Sequence, residues 1–280
     1  MKVGIVGLGL IGGSMAKAIR ANTDYTVYGN DIDKNIVMRA KVIEAINDEL
    51  TDENIGECDF IIFALYPKDT VNALEVYSPY IKRGAYVTDC GGIKEYVCKE
   101  AKRYADKYEF HFVGGHPMAG IEKIGFDYSD ADIFKNASMI LTPHKSIQIS
   151  VLEQFKAFFL KIGFGKATIT TPWEHDEVIA YTSQLAHIIS SAYIKSSTAK
   201  RHEGLSAGSF RDMSRVSYLN ENMWTELFLE NRNNLLAEIS TLMDNLLRYK
   251  NALEWRDASL LKQLLADGRM IKENIDKSEK

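Results

Sequence analysis

Three glycines close to the N-terminus have the spacing of a phosphate-binding turn. Residues Gly7–Gly12 read Gly-Leu-Gly-Leu-Ile-Gly, after an apolar run at Lys2–Val6 that is typical of a strand and before a helical pattern. In such a turn Gly7 permits the tight bend, Gly9 lets the backbone approach a pyrophosphate, and Gly12 lets helix and strand pack closely. The helix N-terminus offers free N–H groups and a positive dipole end to the phosphates. The pattern therefore predicts a dinucleotide-binding turn.

An acidic residue beyond the glycines indicates which dinucleotide binds. Asp31 lies 19 positions after Gly12, at the end of the second predicted strand. Its carboxylate can accept hydrogen bonds from both ribose hydroxyls and would repel a 2′-phosphate, which favours NAD over NADP. Lys34 is close enough in sequence to keep NADP open as an alternative. The predicted cofactor contacts in this half of the site are Gly7, Gly9, Leu10, Ile11, Gly12 and Asp31.

A second turn is predicted to border the cofactor. The third predicted strand ends at Ala64, and Leu65, Tyr66 and Pro67 follow it. In a doubly wound sheet, ligands bind beyond the carboxyl ends of the strands. We therefore expect this turn to lie beside the ribose next to the nicotinamide, with a plain turn proline at Pro67 as the alternative.

One histidine is predicted to accept a proton. His116 follows Gly114 and Gly115, precedes Pro117, and stands just after a predicted strand. Fixing the backbone around one imidazole in this way is costly unless the position of the ring matters. Because an unperturbed histidine pKa of about 6.5 suits proton transfer near neutral pH, His116 is the candidate general base beside the hydride-transfer centre. The alternative is a buried structural histidine.

The C-terminal half carries a second group of candidates. Gln184 and His187 are three positions apart and so share one helical face. Residues 206–215 are predicted to be a loop rich in small residues with two arginines, and Trp224 follows nine positions after Arg215. Arginine offers a planar fork of donors to a carboxylate, so each arginine is a candidate anchor, with a surface ion pair as the alternative.

The elements that must position these residues alternate in type through the first 172 residues, which predicts a Rossmann-like, doubly wound and mostly parallel sheet with helices on both faces. The predicted strands are Lys2–Val6, Tyr25–Tyr28, Phe60–Ala64, Tyr86–Thr88, Phe110–Val113, Met139–Leu141 and Lys166–Ile169. The predicted helices include Gly12–Ala21, Asn35–Ala45, Thr70–Tyr80 and Ile93–Lys107.

Helix-breaking residues become rare after Pro172, which predicts an all-α second domain. No proline follows that position, and only three of the 19 glycines do. Thr171 as N-cap, Pro172 at the first helical position and Glu174 three residues after the cap form a helix start signal. We therefore predict a dinucleotide-binding domain over residues 1–171 and a helical substrate-binding and dimerisation domain over residues 172–280.

Three helices are predicted in the second domain, over Pro172–Lys200, Asn220–Tyr249 and Asp257–Ile275. The second of them carries a stripe of large apolar residues at steps of three and four, a pattern typical of one buried helix face. A three-helix domain of this size buries little surface by itself, so the stripe predicts a homodimer through the C-terminal helices, with an intrachain core as the alternative.

Composition excludes several classes of protein. The 280 residues carry a net charge of −4 and are 46% hydrophobic, as in a globular chain and unlike a disordered one. There is no basic excess to suggest a nucleic-acid partner and no apolar run of about 18 residues to suggest a membrane partner. The start of the chain does not resemble a secretion signal. Cys58, Cys90 and Cys98 lack metal-ligand spacing, so we expect a reduced, cytoplasmic protein without a metal.

Several segments, taken in chain order, form a set of motifs. They are Gly7–Ser14, Thr88–Lys94, Gly115–Gly120, Ser183–His187, Gly208–Arg215 and Met223–Trp224. This ordered set resembles the motifs of one enzyme family, the prephenate dehydrogenases and related arogenate dehydrogenases of tyrosine biosynthesis. The resemblance extends from about Lys2 to Lys272 and is specific as an ordered set.

The resemblance implies an NAD-dependent oxidative decarboxylation of prephenate, a dicarboxylate, to 4-hydroxyphenylpyruvate. His116 would accept the hydroxyl proton, and Arg215 would anchor the ring carboxylate. The implied substrate-binding residues are Gln184, His187, Arg215 and Trp224, and Gly91 joins the residues that contact the cofactor. Because the chain ends near Lys280, we expect a monofunctional enzyme without an appended regulatory or mutase domain.

Three positions depart from the family pattern. Gly92 stands where the family has a serine that hydrogen-bonds the catalytic histidine and the substrate hydroxyl. Gln184 replaces the first histidine of a pair, and Ala186 replaces a proline. None of these changes removes hydride transfer, but the first could alter the rate or the substrate preference.

Other functions remain as alternatives. The first is arogenate dehydrogenase, whose substrate has an amino-acid side chain in place of the pyruvyl group. An acidic residue near that side chain would favour arogenate, and Glu122 and Asp212 are candidates for that residue. A non-catalytic dinucleotide-sensing protein would leave His116, Arg215 and Trp224 unexplained. A general 3-hydroxyacid dehydrogenase would oxidise its substrate without releasing CO2.

Overall fold

A sheet of eight strands forms the centre of the computed structural model, which describes residues 1–121 and 123–278. The strands are β1 (Lys2–Val6), β2 (Thr26–Asn30), β3 (Asp48–Glu49), β4 (Phe60–Phe63), β5 (Tyr86–Asp89), β6 (His111–Pro117), β7 (Ser138–Pro143) and β8 (Lys166–Ile169). Their spatial order is β3-β2-β1-β4-β5-β6-β7-β8, and all neighbouring pairs are parallel except β6 and β7. The strand order reverses between β1 and β4, which confirms the doubly wound, Rossmann-like prediction.

Five helices connect the strands. They are α1 (Leu10–Asn22), α2 (Lys34–Val42), α3 (Pro67–Tyr77), α4 (Glu95–Tyr108) and α5 (Ile149–Lys161). Four of them match helices predicted from the apolar periodicity. The fifth, α5, and the two-residue strand β3 were not among the named predictions.

Each face of the sheet has its own apolar core, because successive residues of a strand point to opposite sides. Ile5 of β1 packs in one cluster with Phe159 of α5. Ile61 of the adjacent β4 packs in the other cluster with Val97 of α4. Both faces are therefore covered by helices, as the run of fully buried residues in β4 requires.

The rest of the described chain is helical. Its helices are α6 (Pro172–Ile179), α7 (Ala186–Tyr193), α8 (Gly208–Ser214), α9 (Glu221–Glu230), α10 (Arg232–Glu254) and α11 (Ala258–Ser278). The predicted start signal is confirmed, since the Thr171 hydroxyl accepts the backbone N–H of Glu174 at 3.1 Å. A π-helical segment, Ala180–Leu185, joins α6 to α7.

The predicted helix Pro172–Lys200 is too long. The helix ends at Tyr193, and a separate 3-10 turn covers Ser197–Arg201. The physical reason is local capping, because the Ser196 hydroxyl accepts the N–H of Thr198 at 3.2 Å and so starts a new turn.

Two further predictions about the helical half are wrong in detail. The helix predicted over Asn220–Tyr249 is interrupted at Asn231, whose side-chain amide donates to the Gln184 side chain at 2.9 Å. Residues 206–215 are not simply a loop, since Gly208–Ser214 forms a short helix. Small residues favour turns, but they do not prevent a helix that is held by its neighbours.

Backbone contacts divide the chain into two compact units, residues 1–231 and the part that begins at Arg232. In the second unit α10 and α11 pack together and bury Ala252 and Leu264. Leu236, Met243 and other large apolar residues of α10 are about half exposed. The predicted domain boundary at residue 171 remains a prediction. Within the described part of the chain, no helix is long and apolar enough to cross a membrane.

Candidate active site

The glycine turn connects the carboxyl end of β1 to the start of α1. Gly7 has a φ of +91°, which favours glycine, and a Cβ there would lie 2.6 Å from the carbonyl oxygen of Ala64. A Cβ at Gly12 would overlap the carbonyl oxygen of Gly7. Gly9 is the N-cap of α1, and apart from its chain neighbours no heavy atom of the described residues lies within 4 Å of a Cβ built on it. The helix start has no side-chain cap, so a phosphate could satisfy its first N–H groups, including those of Leu10 and Ile11.

The carboxylate of Asp31 is fixed beside this turn. Its Oδ2 accepts the N–H of Leu8 at 2.8 Å, and its Oδ1 accepts the N–H of Asp33 at 3.0 Å. Lys34, the basic residue that left NADP open, forms an ion pair with Glu49 at 2.5 Å. The residues present therefore fit a dinucleotide with an unmodified ribose.

The second predicted cofactor turn lies at the same edge of the sheet. Leu65 and Tyr66 follow β4, Tyr66 is the N-cap of α3, and Pro67 is the first residue of that helix. Gly91 follows the neighbouring β5 and donates its N–H to the Asp89 carboxylate at 2.8 Å. Since β1, β4 and β5 are parallel and in register, their carboxyl ends meet at this edge.

A buried ion pair connects β5 to β6 just before the candidate base. The Lys94 ammonium pairs with the Asp89 carboxylate, and both side chains are fully buried. Lys94 also donates to the carbonyl of Gly115 at 2.7 Å, while Asp89 accepts the N–H of Gly115 at 3.1 Å. The pair therefore holds both backbone polar groups of the residue that precedes His116.

The glycines before His116 are there because side chains do not fit. A Cβ at Gly115 would lie 2.5 Å from the carbonyl oxygen of Asp89 and 2.5 Å from Met139. A Cβ at Gly114 would lie 2.5 Å from the hydroxyl of Thr142. The strand that carries His116 is thus pressed closely against both of its neighbours, which fixes the backbone under the imidazole.

The His116 ring belongs to a buried hydrogen-bonded chain. Its Nδ1 lies 2.8 Å from Nε2 of His175, and Nδ1 of His175 lies 2.7 Å from Oδ1 of Asp176. The Asp176 carboxylate also accepts the N–H groups of Lys94 at 2.7 Å and Glu95 at 2.8 Å, at the start of α4. His175 and Asp176 are 3% and 2% exposed, so water has little access to these two residues, while His116 is only partly buried.

Burial lowers the pKa of His116, so the imidazole is unprotonated and can accept a proton. Burial first, and then repulsion from a protonated His175 and from the Lys94 ammonium, hold the pKa of His116 well below its usual 6.5. Burial also lowers the pKa of His175, although its hydrogen bond to Asp176 acts in the opposite direction. Both rings are therefore neutral near neutral pH.

The position of the family's serine is left open next to the base. A Cβ built on Gly92 lies 3.9 Å from Nε2 of His116 and 3.5 Å from Leu227, which is ordinary contact distance. A serine would fit there, so its absence is not a packing requirement. Nε2 of His116 therefore lies next to the space that a side chain at position 92 would occupy.

Of the predicted substrate residues, the structure brings two together. The imidazole of His187 lies against the indole of Trp224, with ring centres 4.0 Å apart and an angle of 33° between the rings. Nδ1 of His187 donates to the carbonyl of Ser183 at 2.8 Å. Arg215 begins a 3-10 segment that packs against α7, the helix that carries His187.

Gln184 is placed differently from the other predicted substrate residues. It is 1% exposed, and its amide donates to the carbonyl of Leu227 at 3.1 Å and accepts from Asn231 at 2.9 Å. Asn231 in turn donates to the carbonyl of Asp176 at 2.8 Å. Gln184 thus joins the hydrogen-bond network behind His116, and its contact with substrate remains a prediction.

The site residues that the sequence analysis missed are Asp89, Lys94, His175 and Asp176. Asp89 and Lys94 lie within a segment that resembles the family, but their burial and pairing were not predicted. An adjacent histidine and aspartate in the first turn of a predicted helix were a usable signal. Nothing local showed which strand that turn would face.

The glycine turn, the acid beside it and the imidazole at the same sheet edge are the arrangement of a nucleotide-dependent dehydrogenase. Two family models match: the nucleotide-binding domain of prephenate dehydrogenase over residues 15–167 and the prephenate dehydrogenase dimerization domain over residues 171–267. The chain belongs to the prephenate dehydrogenase family.

Individual relatives agree with the family. A prephenate dehydrogenase of Lactococcus lactis is 30% identical over 284 residues, covering 98% of this chain and 77% of the relative. The crystal structure of Aquifex aeolicus prephenate dehydrogenase in complex with hydroxyphenyl propionate and NAD+ has a TM-score of 0.84 and 26% identity, covering 98% of both chains. Arogenate dehydrogenase of Synechocystis has a TM-score of 0.83 and 25% identity, covering 98% of this chain and 100% of the other.

Proposed function

We propose that this protein oxidises and decarboxylates prephenate to 4-hydroxyphenylpyruvate and passes the hydride to NAD. The observation that carries the proposal is the neutral His116 imidazole, held by His175 at the sheet edge that also bears the glycine turn. Membership of the prephenate dehydrogenase family supplies the substrate.

The residues at the sheet edge would hold the cofactor in an extended position. Backbone N–H groups of Gly7–Gly12 would bind the pyrophosphate, and Asp31 would bind the ribose hydroxyls. Leu65–Pro67 and Gly91 would border the nicotinamide half. NAD bound there would supply the acceptor for the hydride that leaves the ring carbon carrying the substrate hydroxyl.

His116 would move the only proton that the reaction requires. Its Nε2 takes the hydroxyl proton while the C–O bond becomes a carbonyl. The bond between the ring and its carboxylate then breaks, CO2 leaves, and the electron pair restores the aromatic ring. His116 returns the proton to the phenolic oxygen, so the histidine is unchanged after each turnover.

The substrate is proposed to lie between His116 and the helical residues. Arg215 would bind the ring carboxylate through its planar fork of donors. His187 and Trp224, in ring contact, would form an aromatic wall of the pocket. Gln184 would act on the site indirectly, through its hydrogen bond to Asn231.

Replacing Arg215 by alanine tests the proposed carboxylate anchor. We expect Arg215→Ala to raise the KM for prephenate about 10- to 100-fold, because a charge-assisted hydrogen bond worth about 1.5–3 kcal/mol is lost. Steady-state kinetics with saturating NAD would measure it. Arg83→Ala, at an exposed arginine paired with Glu109, is the matched control and should leave both KM values unchanged. If only the KM for NAD rises, Arg215 binds the cofactor instead.

Activity with two substrates and two cofactors tests the proposed function itself. Prephenate or arogenate is combined with NAD or NADP, and reduced cofactor and released CO2 are both measured. We expect prephenate with NAD to be the best pair, and a 2′-phosphate to be disfavoured by Asp31. No reduced cofactor in any combination would favour a sensor, and reduction without CO2 would favour a hydroxyacid dehydrogenase.

Arogenate dehydrogenase is the second candidate because the Synechocystis enzyme shares the fold. Of the two acidic residues that could favour arogenate, Asp212 is exposed in α8, and Glu122 lies outside the described residues. A higher kcat/KM with arogenate than with prephenate would replace our proposal by this one.

We propose that the protein is a homodimer through its C-terminal helices. The match to a dimerization domain and the half-exposed Leu236, Met243, Leu246 and Leu247 of α10 support this. We also keep residue 171 as the boundary between the nucleotide-binding and helical domains. The three cysteines are free thiols, which fits the reducing cytoplasm as the proposed location.

A further inference from the structure

A hydrogen-bonded chain behind His116 determines which of its nitrogens carries the proton. The chain runs from Nδ1 of His116 to Nε2 of His175 at 2.8 Å, and from Nδ1 of His175 to Oδ1 of Asp176 at 2.7 Å. Each contact is a single hydrogen bond to one ring nitrogen. The group at the end of the chain therefore determines which nitrogen donates and which accepts in every contact.

The end group is a carboxylate that can only accept. Asp176 already accepts two backbone N–H groups at the start of α4, those of Lys94 and Glu95. An ionised carboxylate has no proton to donate, so Nδ1 of His175 must be the donor. In a neutral His175 ring, Nε2 then carries the lone pair and must accept.

The same logic fixes the next ring. Because Nε2 of His175 accepts, Nδ1 of His116 must donate, and the neutral His116 ring keeps its lone pair on Nε2. That nitrogen faces the open position at Gly92. The opposite tautomer would place a proton on Nε2 and could not accept one from the substrate.

We propose that His175, held by Asp176, is a positioning residue that keeps His116 in the Nδ1–H tautomer and so directs the lone pair of Nε2 towards the substrate hydroxyl. This inference rests on the proposed function, in which His116 is the general base. It gives a positioning role to His175 and Asp176, which are separated from the reacting groups by the His116 ring.

The surroundings of the chain support a positioning role. The charged groups that act on the chain are Asp176, which is in α6 with His175, Lys94 and Glu95 at the start of α4, and Asp89 in β5. Lys94 is paired with Asp89, and Asp176 is the carboxylate that is hydrogen-bonded directly to the His175 ring. Asn231 donates to the backbone carbonyl of Asp176 and also to the side chain of Gln184.

Two isosteric variants separate positioning from simple packing. The amide of asparagine takes the place of Nδ1 and that of glutamine the place of Nε2, so His175→Asn keeps the contact with Asp176 and His175→Gln keeps the contact with His116. We expect His175→Asn to lower kcat by about 100-fold or more and His175→Gln to stay within about tenfold of the unmodified protein. The KM values for prephenate and NAD should change less than about threefold, since His175 is not proposed to touch either ligand.

A spectroscopic measurement reports the tautomer without any turnover. The side-chain ¹⁵N shifts of His116, assigned by comparison with His116→Asn, show which ring nitrogen is protonated near neutral pH. We expect Nδ1–H in the unmodified protein and in His175→Gln, and Nε2–H in His175→Asn.

Equal activity of the two folded variants, or an Nε2–H ring in the unmodified protein, would overturn the inference. If the unmodified protein does not oxidise prephenate, the proposed function fails instead, and the ¹⁵N shifts still decide whether His175 fixes the His116 tautomer.

Discussion

His116→Asn is expected to lower kcat for prephenate oxidation by about 10²–10⁴-fold and to leave NAD affinity almost unchanged. An amide cannot accept the hydroxyl proton, so loss of the hydride would leave a protonated, positively charged carbonyl oxygen with no base beside it. The asparagine amide still reaches His175 in place of Nδ1, so the local fold should survive. Steady-state kinetics and a fluorescence titration with NAD measure the two quantities.

The pH dependence of kcat/KM is an independent test of His116 as the general base. A general base works only when it is unprotonated, and burial holds the pKa of His116 well below 6.5. The acid limb of kcat/KM should therefore lie below pH 6.5 in the unmodified protein and be absent from His116→Asn.

The matched control for His116 is a histidine outside the site. His144 pairs with the hydroxyl of Ser146, and His144→Asn should keep full activity. Unchanged turnover in His116→Asn would dismiss His116 as the base, whatever its pKa.

Lys94→Met is expected to have the largest effect on stability. It leaves the fully buried Asp89 carboxylate without its counter-ion, and breaking such a pair costs about 3–5 kcal/mol. We expect the midpoint of thermal unfolding to fall by about 5–15 °C. Activity should fall as well, because Lys94 also holds the carbonyl of Gly115 beside the base.

Two further variants show whether the lost charge partner is the cause. Lys102→Met changes a partly exposed lysine of α4 that pairs with Asp106, and it should alter stability by no more than about 0.5 kcal/mol. Adding Asp89→Asn to Lys94→Met removes the unpaired carboxylate and should restore part of the stability. Calorimetry of all four proteins measures the differences. If Lys94→Met unfolds like the unmodified protein, the buried pair does not stabilise this fold.

Local signals predicted the positions of most helices and strands in residues 1–171. Lys2–Val6 and Lys166–Ile169 were predicted with the same bounds that the structure has. Both are short apolar or β-branched runs flanked by breakers, so the information lies within the run. The start of α6 was predicted for the same reason, since Thr171 caps it through a contact three residues away.

Elements that depend on distant neighbours were predicted less well. The helix that begins at Pro172 contains a π segment and ends at Tyr193, and Asn231 interrupts the next predicted helix. Asn231 ends α9 while its side chain binds Gln184, which is 47 positions away. Periodicity reports only which residues are apolar, so it cannot report where a polar side chain will be recruited by another helix.

For the candidate site, the sequence by itself determined the glycine turn, the acid that follows it and the imidazole between glycines and proline. Those features depend on residue types within a few positions of one another. Only the tertiary structure decided that His175, 59 positions from His116, would stand behind that ring and that Lys94 and Asp89 would be buried as a pair. Such contacts arise when β5, β6, α4 and α6 pack together, and they are selected by the shape and polarity of the whole assembly of elements.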